Sequence, residues 1–316
     1  MTGDGGPVRI GTRGSPLALA QARIVAAGLA AADPALAVEG GVETVVIRTT
    51  GDAVQDRTLA EIGGKGLFTK EIDEAQLDGR VDLAVHSMKD LPTALPEGLV
   101  LAAALPREDP RDVLIVRPGL GDGADGAAFA MLPHGARIGT ASLRRQAQLL
   151  AARPDLQVAP MRGNVGTRLD KLASGEADAT LLALAGLRRL GLSPAGMHVL
   201  AVEAMLPAVA QAAIGITARR GDARALALAA RLNHAPTLAC VSAERGFLTA
   251  LDGSCRTPIA GLATLRAGAI VLEGLVAAPD GRGVVRRLWT ERAADNPADL
   301  AAFGHRCGRD LAGAMP

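Results

Sequence analysis

The strongest constraint on the fold lies at residues 69–87, where TKEIDEAQLDG reads as a short helix and leads into the apolar run VDLAVHS. A strand whose two faces are both apolar must be covered on both sides, and entry from a helix is the signature of a parallel α/β sheet. The flanking sequence agrees. VRIGTR at 8–13 reads as a strand, Ser15-Pro16 as an N-cap with a first-turn proline, and the helix behind them as running to about Leu29. A strand in GVETVVIRTT and a glycine-rich loop, EIGGKGLF, complete a first hundred residues expected to be doubly wound. PREDPRD at 106–112 is a linker candidate. Beyond it the style repeats: strand VLIV, ARIGT with a helix, LQVAPM with a turn and a helix, then DATLLALA followed by GLRRLGL. Past Arg231 come a long helix, PTLACVSAERGFLTAL, three tightly connected strands and a last helix. The expected fold class is α/β, with two doubly wound units and a small α+β domain carrying a three-stranded antiparallel sheet.

A chain of 316 residues with 49% apolar content is long enough for two or three domains with sizeable cores. Its formal net charge of +1 gives no global field for nucleic acid or an acidic membrane, so neither is an expected partner and anion recognition must be local. MTGDGGPVRIG shows no basic region followed by an apolar run, and no stretch of 18 apolar residues occurs, so a cytoplasmic location is expected. Three cysteines without a CxxC pair and five scattered histidines give no disulfide or metal assignment.

The arginines are informative by position. Arg144 and Arg145 follow Ser142, the predicted cap of a helix, where each cation costs roughly 0.3–1 kcal/mol against the helix dipole. Arg13 precedes the Ser15 cap, Arg162 ends a strand with Arg168 in or near the first turn of the next helix, and Arg188-Arg189 follow an apolar strand. Ligands of open α/β sheets bind at that edge, and guanidinium forks match carboxylates, so a polycarboxylate ligand is expected. HSMKDLP places Ser87, Lys89 and Asp90 at the same edge. Asp90 reads either as the partner of Lys89 on a turn or as a general acid/base or cation-stabilising carboxylate. Cys240 and Cys307 fall on apolar helical spacing and read as inert core thiols. Cys255, in the loop LDGSCRTP beside Arg256, reads either as a nucleophile with a lowered pKa or as an ordinary loop cysteine.

With these residues assembled, the chain resembles the porphobilinogen deaminase family over almost its whole length. The matching stretches are IGTRGSPLALAQ, GGKGLF, DLAVHSMKDLP, REDPRD, IGTASLRRQAQL, MRGNVGTRLDKL, LALAGLRRLGL and DGSCRTPIAG, in that order. The resemblance implies a first domain from 1–106 and 207–230, a second from 111–206, the two arranged like a periplasmic binding protein around a cleft, and a third from 234–316. It implies a dipyrromethane cofactor joined to Cys255 by a thioether. It also implies a transferase that joins four porphobilinogen molecules head to tail onto that primer, with loss of ammonia, and releases hydroxymethylbilane, a step of heme biosynthesis. Asp90 matches the family's catalytic aspartate. Arg13, Lys89, Arg144, Arg145, Arg162, Arg168 and Arg189 match positions that hold acetate and propionate groups, while Ser15, Ser87, Thr140, Ser142, Gly163 and Asn164 can supply neutral donors. Lys65 and Phe68 match a mobile loop over the cleft, although Phe68 also reads as the start of a helix's core face. A monomer with no obligatory protein partner is implied. Ala210 and Ala212 depart from the family's usual glycines around Gln211, and Asp252 and Ser254 are departures near the attachment cysteine.

Two rival readings are weaker. GDGADG at 121–126 fits GxGxxG only literally, because it neither directly follows a strand nor opens a long helix. A non-catalytic, two-lobed polycarboxylate-binding protein would use the same arginines but would need neither Asp90 nor an attachment cysteine.

Overall fold

The computed structural model describes residues 6–53, 66–120, 129–251 and 257–314. These residues divide into two compact units, the first drawn from 1–54, 64–107 and 213–238, the second from 108–212 and 239–316.

In the first unit the chain forms β1 (Val8–Arg13), α1 (Pro16–Ala32), β2 (Val42–Ile47), a short α2 (Thr50–Ala53), α3 (Lys70–Leu77), β3 (Leu83–Ser87), a 3₁₀ turn at Met88–Asp90 and β4 (Leu99–Ala104). Later it returns to add β10 (Ile214–Arg219) and α7 (Ala223–Ala230). The sheet order is β2-β1-β3-β10-β4. Alternation along β3 serves both faces. Leu83 and Val85 pack with Val25 and Leu29 of α1, whereas Ala84 packs with Ile72 and Ala75 of α3. This is why the 81–87 run is apolar throughout. The neighbours of β3 are of two kinds: β1 is parallel (Ile10↔Leu83) and β10 antiparallel (Ile216↔Val85). Apolar content reports burial on both faces, not the direction of a partner strand more than a hundred residues away.

The second unit contains β5 (Asp112–Val116), β6 (Arg137–Gly139), α4 (Leu143–Ala152), β7 (Gln157–Ala159), α5 (Val165–Ala173), β8 (Ala179–Ala183), α6 (Leu184–Arg189) and β9 (Met197–Val199). Its order, β7-β6-β8-β5-β9, repeats the first pattern, with β5 as the antiparallel strand in fourth place. One boundary differs from the sequence reading. The apolar run LLALAGL crosses from strand to helix at Leu184, so Arg188 and Arg189 sit in the last turn of α6 and not at a helix start. Periodicity cannot locate such a junction inside a continuous apolar run, and the last turn is where the helix dipole favours cations.

α8 (Ala235–Ala250), β11 (Ile259–Arg266), β12 (Ala269–Val276), β13 (Val285–Arg292) and α9 (Pro297–Ala312) follow. The three strands form an antiparallel meander whose Ala260, Leu262 and Leu275 pack against Ala147 of α4 and Leu206. α8 and α9 approach backbone to backbone. A Cβ on Gly304 would lie 1.8 Å from the Ala243 carbonyl, and one on Gly246 would lie 2.0 Å from that of Ala301. Cys240 and Cys307 are buried as expected, and burial pushes the Cys307 thiol up to about 12.

The two alanines that depart from the family pattern both sit in left-handed backbone, Ala210 at φ 58° and Ala212 at φ 71°. A Cβ is costly there, while glycine carries a larger entropy in the unfolded chain. The first effect is the larger. Ala210→Gly and Ala212→Gly should each stabilise the protein by about 0.5–1 kcal/mol, read as a higher urea midpoint at unchanged m-value; a lower midpoint would contradict the strain argument.

Candidate functional site

β1 and β3 are adjacent and parallel, so their carboxyl ends bring Arg13 and Ser87 to one edge. The 3₁₀ turn after β3 carries Lys89 and Asp90 to the surface at that edge. Ser15, in extended backbone, caps α1 by accepting from the Ala18 N–H. Arg13, Ser15, Gln21, Phe68, His86, Ser87 and Asp90 line one open pocket of the first unit. Ser87 is held by Gln21 of α1, with Gln21 Nε2 donating to Ser87 Oγ at 2.8 Å. The half-buried Phe68 lies in the turn before α3 with its ring 4.2 Å from the Arg13 guanidinium, a cation–π contact that steadies the cation over the pocket. Lys65 and Cys255 lie outside the described residues.

His86, one of these lining residues, is itself buried. Gln76 spends its Nε2 on the carbonyls of Thr217 and Asp82, so its Oε1 accepts the Thr217 hydroxyl at 2.8 Å. Thr217 Oγ1 must therefore accept from His86, 3.3 Å away, which assigns the His86 proton to Nε2. Burial, and then the charge of Arg13, lower the His86 pKa to about 4. Between pH 6.5 and 4 the unfolded chain thus binds a proton that the folded chain refuses, and folding stability falls as the pH falls through that window. Asp73 in α3 acts in the opposite sense. Burial raises its carboxyl to about 6, so between pH 6 and 3.8 the folded chain holds the extra proton and stability rises as the pH falls. Denaturant titrations at pH 7.5 and 4.5 should therefore show His86→Asn losing about 2 kcal/mol less on acidification than the parent. Equal losses in the two proteins would remove the neutral buried imidazole from the account.

In the second unit most of the sequence-predicted residues lie at or near two helix starts. Thr140 Oγ1 accepts the Ser142 N–H, and Ser142 caps α4 from the Arg145 N–H. By sequence position Arg144 and Arg145 read as rim cations for external anions. They are instead only 6% and 5% exposed and share an internal carboxylate, Asp112 at the start of β5. Arg144 Nη1 lies 2.7 Å from Asp112 Oδ2, and Arg145 Nη2 lies 2.8 Å from Oδ1. Burial alone would raise the Asp112 carboxyl, but the two guanidiniums outweigh it and hold it well below the ordinary carboxylate range. This carboxylate offsets the helix-dipole cost, and among the described residues it is the one carboxylate paired with the two guanidiniums.

At the second start, Asn164 caps α5 by accepting the Thr167 N–H at 2.9 Å, Gly163 adopts φ 118°, and Arg168 Nε donates to the Gly163 carbonyl. β7 ends at Ala159, so Arg162 belongs to the connecting loop and not to a strand end. Arg189 donates to the Ala212 carbonyl and is mostly buried, which lowers its pKa.

Gln21, His86 and Asp112 are polar side chains of these sites that the sequence reading did not single out as such, whereas Gln211, which the resemblance suggests as a ligand contact, donates to Asp112 and the Pro110 carbonyl. Gln21 carried a signal, as a buried amide in the otherwise apolar LALAQARIV. Asp112 carried only a faint one, as the first residue of an apolar strand.

The donor set suits a group bearing several carboxylates. Among the described residues Arg145 Nε and Arg162 Nη1 are buried without a hydrogen-bond partner and Arg144 uses only Nη1 in side-chain hydrogen bonds. Buried donors left unpaired are costly, and an anionic ligand would satisfy them. Among the described residues no helix is long and apolar enough to cross a membrane.

Residues 8–227 match the family described as porphobilinogen deaminase, dipyromethane cofactor binding domain, and residues 238–312 match porphobilinogen deaminase, C-terminal domain. Chloroplastic porphobilinogen deaminase of Oryza sativa subsp. japonica is 54% identical over 96% of this chain and 83% of its own length. Porphobilinogen deaminase of Paracoccus denitrificans is 50% identical over 98% and 95%, and that of Nitrobacter winogradskyi 51% identical over 96% and 92%. Among solved structures, a periplasmic binding protein of Salmonella typhimurium is 13% identical, with a TM-score of 0.41 over 72% of this chain and 91% of that one.

Proposed function

Because the chain belongs to the porphobilinogen deaminase family, we propose that its own residues carry out head-to-tail joining of four porphobilinogen molecules, with release of hydroxymethylbilane for tetrapyrrole synthesis. The cofactor of this family is dipyrromethane, and when bound it supplies the nucleophilic pyrrole carbon to which the first substrate is joined. Cys255 would hold it through a thioether. Arg144, Arg145, Arg162, Arg168 and Arg189, with Lys89, would bind acetate and propionate groups, assisted by Thr140, Ser142, Gly163 and Asn164. A non-catalytic binding protein is not favoured, since the relatives are named as deaminases.

Arg13 would hold a substrate carboxylate, with Phe68 fixing its direction, and Ser15 and Ser87 would offer hydroxyls. Asp90 would do the chemical work. As ammonia leaves porphobilinogen, positive charge develops next to the pyrrole nitrogen, and a carboxylate already in place stabilises it without reorganising. The same carboxylate can accept the proton whose loss restores aromaticity after the carbon–carbon bond forms. Gln21 would position Ser87, and His86, neutral and held by Thr217, would exchange no protons at neutral pH.

The observation that carries this reading is the convergence of Arg13, Ser87 and Asp90 on one pocket at the carboxyl ends of two adjacent strands. Purified protein should consume porphobilinogen and release one ammonia for each molecule consumed. Binding without ammonia release would return the protein to the non-catalytic reading. The proposal includes three domains, at 1–106 with 207–230, 111–206 and 234–316. The inclusion of 213–238 in the first unit supports a return of the chain to it. It further includes a cytoplasmic monomer that needs no protein partner.

A further inference from the structure

Asp112 has no role in the chemistry described above, yet it is the carboxylate around which the second unit's paired arginines are built. It is 0% exposed and each of its oxygens is engaged: Oδ2 by Arg144 Nη1, Oδ1 by Arg145 Nη2 and by Gln211 Nε2 at 2.9 Å. Each partner is anchored a second time to backbone. Arg144 Nη1 also donates to the Leu206 carbonyl at 2.8 Å, Arg145 Nη1 to that of Leu181 at 2.7 Å, and Gln211 Nε2 to that of Pro110 at 2.8 Å. The arginines come from the first turn of α4, the carboxylate from the first residue of β5 and the amide from the 207–213 segment. Three separated pieces of chain therefore meet on one buried anion.

A surface arginine samples many rotamers and must be ordered when its ligand arrives. Here that ordering is already done, because both forks are fixed in direction before any ligand binds. The pairing is also incomplete in charge: among the described residues one carboxylate faces two guanidiniums, and Arg145 Nε is buried without a partner. Among the described residues the site thus retains both a net positive charge and an unspent donor.

We propose that Asp112 is a positioning residue that holds Arg144 and Arg145 in the orientation in which they bind the carboxylates of the primer and the growing chain. This rests on the porphobilinogen deaminase reading and adds to it a residue that acts only through the two arginines. It separates two things that removal of a buried charge usually confounds, folding and ligand alignment.

The test uses Asp112→Asn and Asp112→Glu in the full chain. Asparagine keeps the shape and removes the charge; glutamate keeps the charge and displaces both forks by one methylene. Thermal melting, KM and kcat for porphobilinogen, and the fraction of initially primer-free protein that gains a covalent adduct on incubation with porphobilinogen, by intact mass, are measured for each. Asp112→Glu is expected to melt below the parent but above Asp112→Asn, to raise KM at least fivefold and to load primer at least fivefold more slowly. Asp112→Asn is expected to show the same changes, larger, with a lower melting temperature. If both variants melt lower but the folded fraction keeps the parental KM and loading rate, Asp112 is a structural residue only and the proposal is overturned. If asparagine does not fold, the glutamate variant alone decides in the same way. Should the parent protein itself neither load nor consume porphobilinogen, the enzymatic reading fails, a result separate from the behaviour of the variants.

Discussion

Asp90→Asn is expected to lower porphobilinogen turnover by about 10²–10³-fold while leaving the melting temperature within a few degrees of the parent. The two halves of this result have separate physical origins. Asp90 is exposed at the end of a 3₁₀ turn, so its replacement leaves no buried group unpaired and creates no cavity. Chemically, asparagine has the same shape but neither the negative charge nor the basicity. A carboxylate aimed at charge that appears only in the transition state contributes several kcal/mol there and little to ground-state binding. KM should therefore change less than kcat. Comparable turnover in the variant, measured as ammonia released, would place the catalytic group elsewhere in the pocket lined by Arg13, Ser87 and Asp90.

Cys255→Ser is expected to abolish both the covalent adduct and turnover. A serine hydroxyl is a far weaker nucleophile than a thiolate at neutral pH, and the two other cysteines cannot substitute. Cys240 and Cys307 are buried, and the Cys307 thiol is pushed up to about 12, so it is not ionised at physiological pH. Intact mass under denaturing conditions gives the answer directly. The parent should carry a mass addition that is absent from Cys255→Ser and present in Cys307→Ala. An addition that persists in Cys255→Ser, or a fully active parent of unmodified mass, contradicts attachment at this residue.

Much of the fold and part of the site were legible in the sequence because they depend on local rules. Ser15, Ser142 and Asn164 each accept a backbone N–H at the start of a helix, as short polar side chains do next to a helical apolar pattern. The 81–87 run had to be a strand covered on both faces, and HSMKD had to follow it at the carboxyl end, which placed Ser87, Lys89 and Asp90 on one edge. The junction inside LLALAGL was not legible, because an apolar run reads alike as buried strand or buried helix until neighbours decide. Neither was the antiparallel entry of β5 and β10, whose partners lie far along the chain.

The arginine pair at 144–145 shows most clearly where local reading ends. The sequence by itself determined that two cations sit in a first helical turn, that this is unfavourable in isolation, and that an anion must compensate them; helix geometry and the macrodipole require no more than the local residues. Only the tertiary structure decided which anion that is. Asp112 stands 32 positions from Arg144 and reaches both guanidiniums because β5 enters the sheet beside β8, antiparallel, with its first residue level with the start of α6. Sequence patterns record what each residue requires of its surroundings, and long-range pairing of strands settles which residue meets the requirement.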